Sequence, residues 1–220
     1  MAEQKSFKSR VKEVIIECSQ TYKDVFVDYD YLLCSEVFVT FEYYIIKAYE
    51  DNFEHLTGVS SNLKAMDFFK KCYDGTLNED DFSFYKKNNS FAKVKGAVRD
   101  KIIVLPDISQ IFSSATMVEE EFHQNAIACS FAAESTSFTM GFICKGFSKP
   151  KTLLRGRALN SSRSGSLELV LRRKRGMKKF NEIIVGNNEV LCKYLAKIHM
   201  LLSDELLSAV NFSNGFVVDK

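Results

Sequence analysis

Two features of this 220-residue chain carry side chains suited to chemistry: one histidine in the run Asn52-Phe53-Glu54-His55-Leu56-Thr57-Gly58, and a stretch of cations over 145–179. An imidazole changes charge near neutral pH, so His55 can give or take a proton; a histidine can equally be a plain structural hydrogen-bonder. The stretch holds Lys145, Lys149, Lys151, Arg155, Arg157, Arg163, Arg172, Arg173, Lys174, Arg175, Lys178 and Lys179 against a single acid, Glu168. Such clustering beside serine and glycine turns is what a phosphate backbone needs: several charge-assisted contacts, bidentate where arginine is used, each releasing counterions. The same cations could also guard a strand edge or meet an acidic protein. His123, beside the acidic run 119–121, and His199, next to Ile198 on a helix, read as structural.

The net charge of +2 hides this asymmetry, because acids gather at 50–54, 74–81 and 119–121, so the molecule is expected to be electrically polarised. Six cysteines stand at no metal-ligand spacing and form no CxxC pair, which reads as buried free thiols. With no HExxH, GxGxxG, GxxxxGKS/T or GxSxG run, no metal and no cofactor are expected. No apolar run approaches the ~20 residues of a membrane span, and the polar N-terminus lacks a signal-peptide core, so a soluble cytoplasmic protein is expected.

The elements that must hold these residues follow from periodicity. Phe7, Val11, Val14, Ile15, Cys18 and Tyr22 share one face of a helix over 5–22. Val, Ile, Phe, Tyr and Thr then predict strands over 25–33 and 37–48. A helix capped by Ser60, Ser61 or Asn62 should run to Tyr73 and bury Leu63, Met66, Phe69 and Tyr73; another should span 91–104, ended by Pro106. Strands are predicted over 115–122, 126–134, 137–145, 166–175 and 181–185, close enough in sequence to imply an antiparallel sheet. On 166–175, alternation puts Leu167, Leu169 and Leu171 on the core side and Glu168, Arg172 and Lys174 on an open one. A helix over 187–208 turns Val190, Leu191, Tyr194, Leu195, Ile198, Leu202 and Leu206 to one side, a face wide enough to join two copies through 190–206. The 2 prolines and 10 glycines are spread too thinly for a linker, which makes 1–220 one domain.

The seven residues from Asn52 to Gly58 resemble the N-F-x-H-L-T-G signature of a phage-associated branch of the Barnase, EndoU, colicin and RelE-like nuclease superfamily. Further similarity runs through Gly75-Thr76-Leu77, Asp80-Asp81-Phe82, the Leu105-Pro106 step, Met140-Gly141-Phe142, Pro150-Lys151-Thr152-Leu153-Leu154 and Lys178-Lys179-Phe180-Asn181-Glu182-Ile183, covering about 25–186. Phe180 stands where a tyrosine is expected, and the helix from Asn187 has no counterpart. The resemblance implies an α+β fold: a twisted antiparallel sheet of four or five strands flanked by helices, with added N- and C-terminal helices. It also implies metal-independent RNA cleavage by attack of the 2′-hydroxyl on the adjacent phosphate. In that reaction His55 would be the acid or base, Thr57 and Thr152 would hydrogen-bond a phosphate oxygen, and Arg172 would neutralise charge. Lys149, Lys151, Arg155, Arg173, Lys174, Lys178 and Lys179 would bind the strand. The expected protein is an endoribonuclease-like toxin or phage-encoded effector with an RNA partner, and an acidic immunity protein is a further partner to consider. The alternative is a non-catalytic phage or mobile-element protein that uses the basic face to grip nucleic acid or mask an acidic surface, such as an inhibitor of a host defence complex.

Overall fold

The computed structural model describes residues 5–213. Helix α1 (Phe7–Tyr22) starts where the Ser6 hydroxyl accepts the Ser9 N–H, and buries Val11, Ile15, Cys18 and Tyr22 at helical spacing. It runs straight into a π-helical turn, Lys23–Val27, so the strand expected from residue 25 begins only at Tyr29. Phe26 continues the buried stripe and stacks on Tyr22, which explains why the apolar run stays helical. Strand β1 is Tyr29–Cys34 and β2 only Tyr44–Ile46. The expected strand 37–48 is cut short because the buried Glu120 carboxylate accepts the N–H groups of Val39, Thr40 and Phe41 at 2.8, 2.9 and 3.3 Å, taking them out of any ladder.

Helix α2 is Phe53–Thr57, α3 Ala65–Tyr73 and α4 Phe91–Val104. Helix α3 begins after Lys64 and not at Ser60, Ser61 or Asn62, because Ser60 and Ser61 pair as a short strand; Phe69 is buried as expected, together with Phe68 and Cys72, whereas Met66 is 52% exposed and Tyr73 lies at the rim. Seven strands of the main sheet follow: β3 (Met117–Glu120), β4 (Phe131–Glu134), β5 (Phe138–Lys145), β6 (Phe147–Arg155), β7 (Gly165–Ser166), β8 (Leu169–Lys174) and β9 (Glu182–Val185). Sequence pattern missed β6, because Pro150 and three cations interrupt its apolar run; a bulge between Pro150 and Thr152 absorbs the proline's missing N–H. One nine-stranded sheet results, in the order β7-β3-β4-β5-β6-β2-β1-β8-β9, rather than four or five strands. Neighbours are antiparallel except β6 and β2, which pair in parallel through Ser148 and Ile46.

On the inner face, Tyr31, Leu33, Tyr44, Ile46, Phe138, Met140, Phe142 and Val170 pack under α1, α3 and α4 in the main core. On the outer face, α5 (Asn188–Ile198) and α6 (Asp204–Ser213) cover Leu32, Cys34, Leu169, Leu171 and Phe180. The single helix expected over 187–208 is therefore two, separated at Leu202 and Ser203, and its apolar face is turned onto the chain's own sheet. Both sides of β8 are occupied, so the open cationic face predicted for 166–175 is not there. A smaller outer cluster of Phe122, Cys129 and Ala132 lies over the far end, with Leu154, Ala158 and Leu159 against it. Cys18, Cys34, Cys72 and Cys129 are buried thiols, as expected, whereas Cys144 and Cys192 are only partly buried.

Buried carboxylates anchor the long loops. Glu134 accepts the N–H groups of Ala158 and Leu159 at 2.6 and 2.9 Å and pairs with Arg157; Glu119 accepts Asn160 N–H and pairs with Arg163. One of the twelve cations, Arg163, is thus matched to the acidic run 119–121, which sequence alone sets apart as a separate pole. Burial alone would raise the Glu120 and Glu134 carboxyls. The Tyr44 hydroxyl and three N–H groups at Glu120, and the 157–159 donors at Glu134, outweigh burial and hold both below the ordinary glutamate value. Their contribution is complete above the unfolded value of about 4.3 and fades as pH falls below it. We therefore expect Glu120→Gln to cost about 2–4 kcal/mol at pH 7 in urea unfolding, and the gap to the native chain to shrink at pH 4.

Candidate active site and nucleic-acid face

The run from Asn52 to Gly58 forms one short helix with a structural task for nearly every side chain. Asn52 Oδ1 accepts the Tyr49 N–H at 3.0 Å; Phe53 and Leu56 are buried in the main core. Glu54 Oε1 accepts the Ser61 N–H, and the Thr57 hydroxyl donates to the Glu54 carbonyl at 2.8 Å. Gly58 ends the helix in the left-handed region, φ 79°, where a β-carbon would meet Lys101 Cδ at 2.7 Å. His55 is the exception. Its side chain is exposed, and among the described residues its imidazole has no hydrogen-bond partner.

Helix α2 packs against both α4 and β6, so His55 stands on the helix next to the strand that carries Lys149, Lys151, Thr152 and Arg155. At this junction Lys101 of α4 donates from Nζ to the His55 carbonyl at 2.7 Å, and the neighbouring Asp100 pairs with Arg155 at 3.4 Å. A cation on the last carbonyls of α2 complements the helix dipole. Burial of the Lys101 stem beside Gly58 and Val98, and then the charge of Lys86, pull its pKa down to about 7. A lysine so placed exchanges its proton near neutrality, as a free lysine does not.

The other expected site residues are scattered. Thr57 is fully buried with its hydroxyl engaged by its own turn, which removes it from any phosphate. Thr152 lies on the outer face of β6 against Gly141. Arg172 is on the inner face beside Tyr31, locked to Glu182 by bonds of 2.7 and 2.9 Å. The register Arg172, Tyr31, Ile46, Ser148 puts it three strands from β6, about 14 Å away, so His55, Thr152 and Arg172 do not meet over one sheet face.

The expected strand-binding cations divide as well. Arg173 is buried, 3.0 Å from Asp30, and donates to the Lys178 carbonyl. Lys179 reaches the Met200 carbonyl and Lys151 the Ala128 carbonyl at 2.6 Å, each keeping an exposed side chain. Lys174 and Lys178 are exposed near the sheet edge. Lys149 lies over the Tyr49 ring, 4.7 Å from its centre. Three participants escaped sequence reasoning: Lys47, Tyr49 and Lys101. The first two flank the parallel seam, and Lys101 sits mid-helix with no motif to single it out. His123 bonds through Nδ1 to the Glu121 carbonyl and His199 caps α5, both consistent with structural roles. Among the described residues no cluster of three or more His, Cys, Asp or Glu could hold a metal, and no helix is long and apolar enough to cross a membrane.

A family model described as phage-Barnase-EndoU-ColicinE5/D-RelE like nuclease4 matches residues 14–142, a span that begins within α1, takes in His55 and Lys101 and ends within β5, before β6. No curated protein and no solved structure gives a match.

Unfolded Lys101 keeps its proton to about pH 10.4, whereas folded Lys101 releases it near 7. Between these values the unfolded chain binds more protons, so this residue makes stability rise with pH. In urea unfolding, Lys101→Met is expected to gain stability relative to the native chain at pH 6 and to lose that advantage by pH 10.

Proposed function

Because the chain belongs to the phage-Barnase-EndoU-ColicinE5/D-RelE like nuclease family, we propose that it is a metal-independent endoribonuclease in which His55 carries the proton of the cleavage step. One observation carries this reading. In the seven-residue run only His55 lacks a structural task, while its helix lies against the cation-bearing strand β6. His55 stands exposed on a helix packed against the strand that carries Lys149, Lys151 and Arg155; an imidazole can give or take a proton, and cations stabilise the charge on a phosphate. The 2′-oxygen bonds to phosphorus and the bond to the 5′-oxygen breaks, leaving a cyclic phosphate and a 5′-hydroxyl. His55 takes the 2′ proton or supplies the one the leaving oxygen needs. Lys101, held to the same turn, is the second group able to exchange a proton there.

A second reading, binding without turnover as in an inhibitor of a host defence complex, is favoured by the engagement of Arg172 by Glu182 and Arg173 by Asp30. These pairs leave fewer cations for a transition state. Purified protein incubated with total RNA in EDTA separates the two. We expect cleavage with 2′,3′-cyclic phosphate ends, a loss of about 10²–10⁴-fold in His55→Ala, and an unchanged melting temperature, since that side chain is exposed. Cleavage unchanged in His55→Ala would remove the histidine from the reaction; RNA bound by the native chain but never cut would establish the second reading.

A further inference from the structure

On the outer face, Tyr43 and Ile45 are partly buried against the α5–α6 layer and Leu154 against the small cluster around Cys129; between them Lys47 and Lys149 are half-buried and Tyr49 and Phe147 exposed. The parallel pairing sets their side chains alternately: Lys47 Nζ lies 3.5 Å from the centre of the Phe147 ring, Lys149 Nζ 4.7 Å from that of Tyr49, and the Arg175 guanidinium 5.1 Å from Tyr49. Both rings reach solvent, Phe147 at 41% and Tyr49 at 40% exposed, whereas Tyr44 and Phe180 are core. Beyond Phe147 the strip opens into a groove of 580 Å³ floored by Tyr43 and Ile45 and rimmed by Phe41. The groove's one acid, Glu42, faces Lys197 at 3.7 Å.

Charge at the strip is uncompensated. Among the described residues the buried Asp30 carboxylate is the one acid paired with three cations, Arg173 at 3.0 Å, Arg175 at 3.2 Å and Lys47 at 4.0 Å. Lys149 has no carboxylate partner among the described residues. Burial and then the two arginines make protonated Lys47 costly, despite the help of Asp30, and an anion at its head would relieve that.

We infer that the Phe147, Lys47, Lys149, Tyr49 strip is a binding path for a single-stranded nucleic acid, its bases stacking on the two rings and its phosphates meeting the two lysines. Alternating rings and cations fit a splayed strand, whose bases have free faces; a duplex hides those faces and offers phosphates alone. An acidic protein would use the cations and leave the rings idle. The inference names the substrate form for the nuclease reading and rests on that reading only for its biological purpose. Binding itself is tested apart from cleavage.

The probe is fluorescently labelled oligo-dT of about ten nucleotides, which has no 2′-hydroxyl to react, measured by anisotropy in 50 mM salt beside a duplex of equal length. Tighter binding of the single strand is expected, weakened about tenfold by Phe147→Ala and again by Tyr49→Ala. Phe147→Leu, which keeps bulk but not the ring face, should resemble the alanine variant. Lys149→Ala should lower the slope of log K against log salt by about 0.7, while Lys70→Ala on the exposed side of α3 leaves affinity unchanged. Duplex binding as tight as single-strand binding would overturn the path, and so would ring variants of native affinity. Oligo-dT binding without RNA cleavage would retain the path and sink the nuclease reading; cleavage that persists in the ring variants, with no oligo binding, would do the reverse.

Discussion

One parallel contact holds the architecture together. The sheet has two antiparallel halves, β7-β3-β4-β5-β6 and β2-β1-β8-β9, joined where Ile46 faces Ser148 and the Lys47 N–H donates to the Ser148 carbonyl at 2.9 Å. β2 is three residues long, so few ladder bonds secure the seam. The main core does the rest, with Tyr44, Ile46 and Ala48 buried from the β2 side and Leu153 from the β6 side. Because the strands run in parallel here, residues with opposite chemistry in each chain segment fall beside one another on the outer face. A ring from β6 meets the lysine that follows β2, and a lysine from β6 meets the ring two residues further on.

The same geometry sorts the basic segment into two populations. Arg157, Arg163, Arg172, Arg173 and Arg175 are tied to carboxylates or backbone carbonyls and serve the fold. Most lysines of the segment keep their heads in solvent. The division follows from the chemistry: a guanidinium can satisfy several carbonyls or a bidentate carboxylate in a half-buried place, as Arg175 does with Phe26, Val27 and Ala48, whereas a strongly hydrated ammonium resists burial. A count of positive charges therefore overstates what is free to meet a partner.

Around His55 the constraint is different. A five-residue helix cannot hold itself, and its ends are secured from outside: Asn52 at the entry, Glu54 reaching to Ser61, Gly58 turning back, and Lys101 on the His55 carbonyl. Gly58 and Lys101 are coupled, because the lysine stem fills the space a β-carbon would need. The turn thus fixes the backbone that presents the imidazole while leaving the ring itself unbound.

The sequence by itself determined the local elements and the motif. Helices 7–22 and 91–104 follow their apolar spacing, the strands over 117–120, 131–134 and 138–145 follow runs of apolar and β-branched residues, and the seven residues around His55 lie within the span that matches the family. It failed where distant groups overrule local preference. Glu120 takes the N–H groups of 39–41 from a predicted strand, and a bulge makes a strand of the proline-bearing 147–155. Only the tertiary structure decided which residues share a surface. Alternation assigns a face within one strand, but strand order and the sense of pairing lie in long-range contacts that no local pattern encodes. That is why Arg172 ended three strands from β6, and why Lys47 and Tyr49, unremarked in the chain, came to lie beside Phe147 and Lys149.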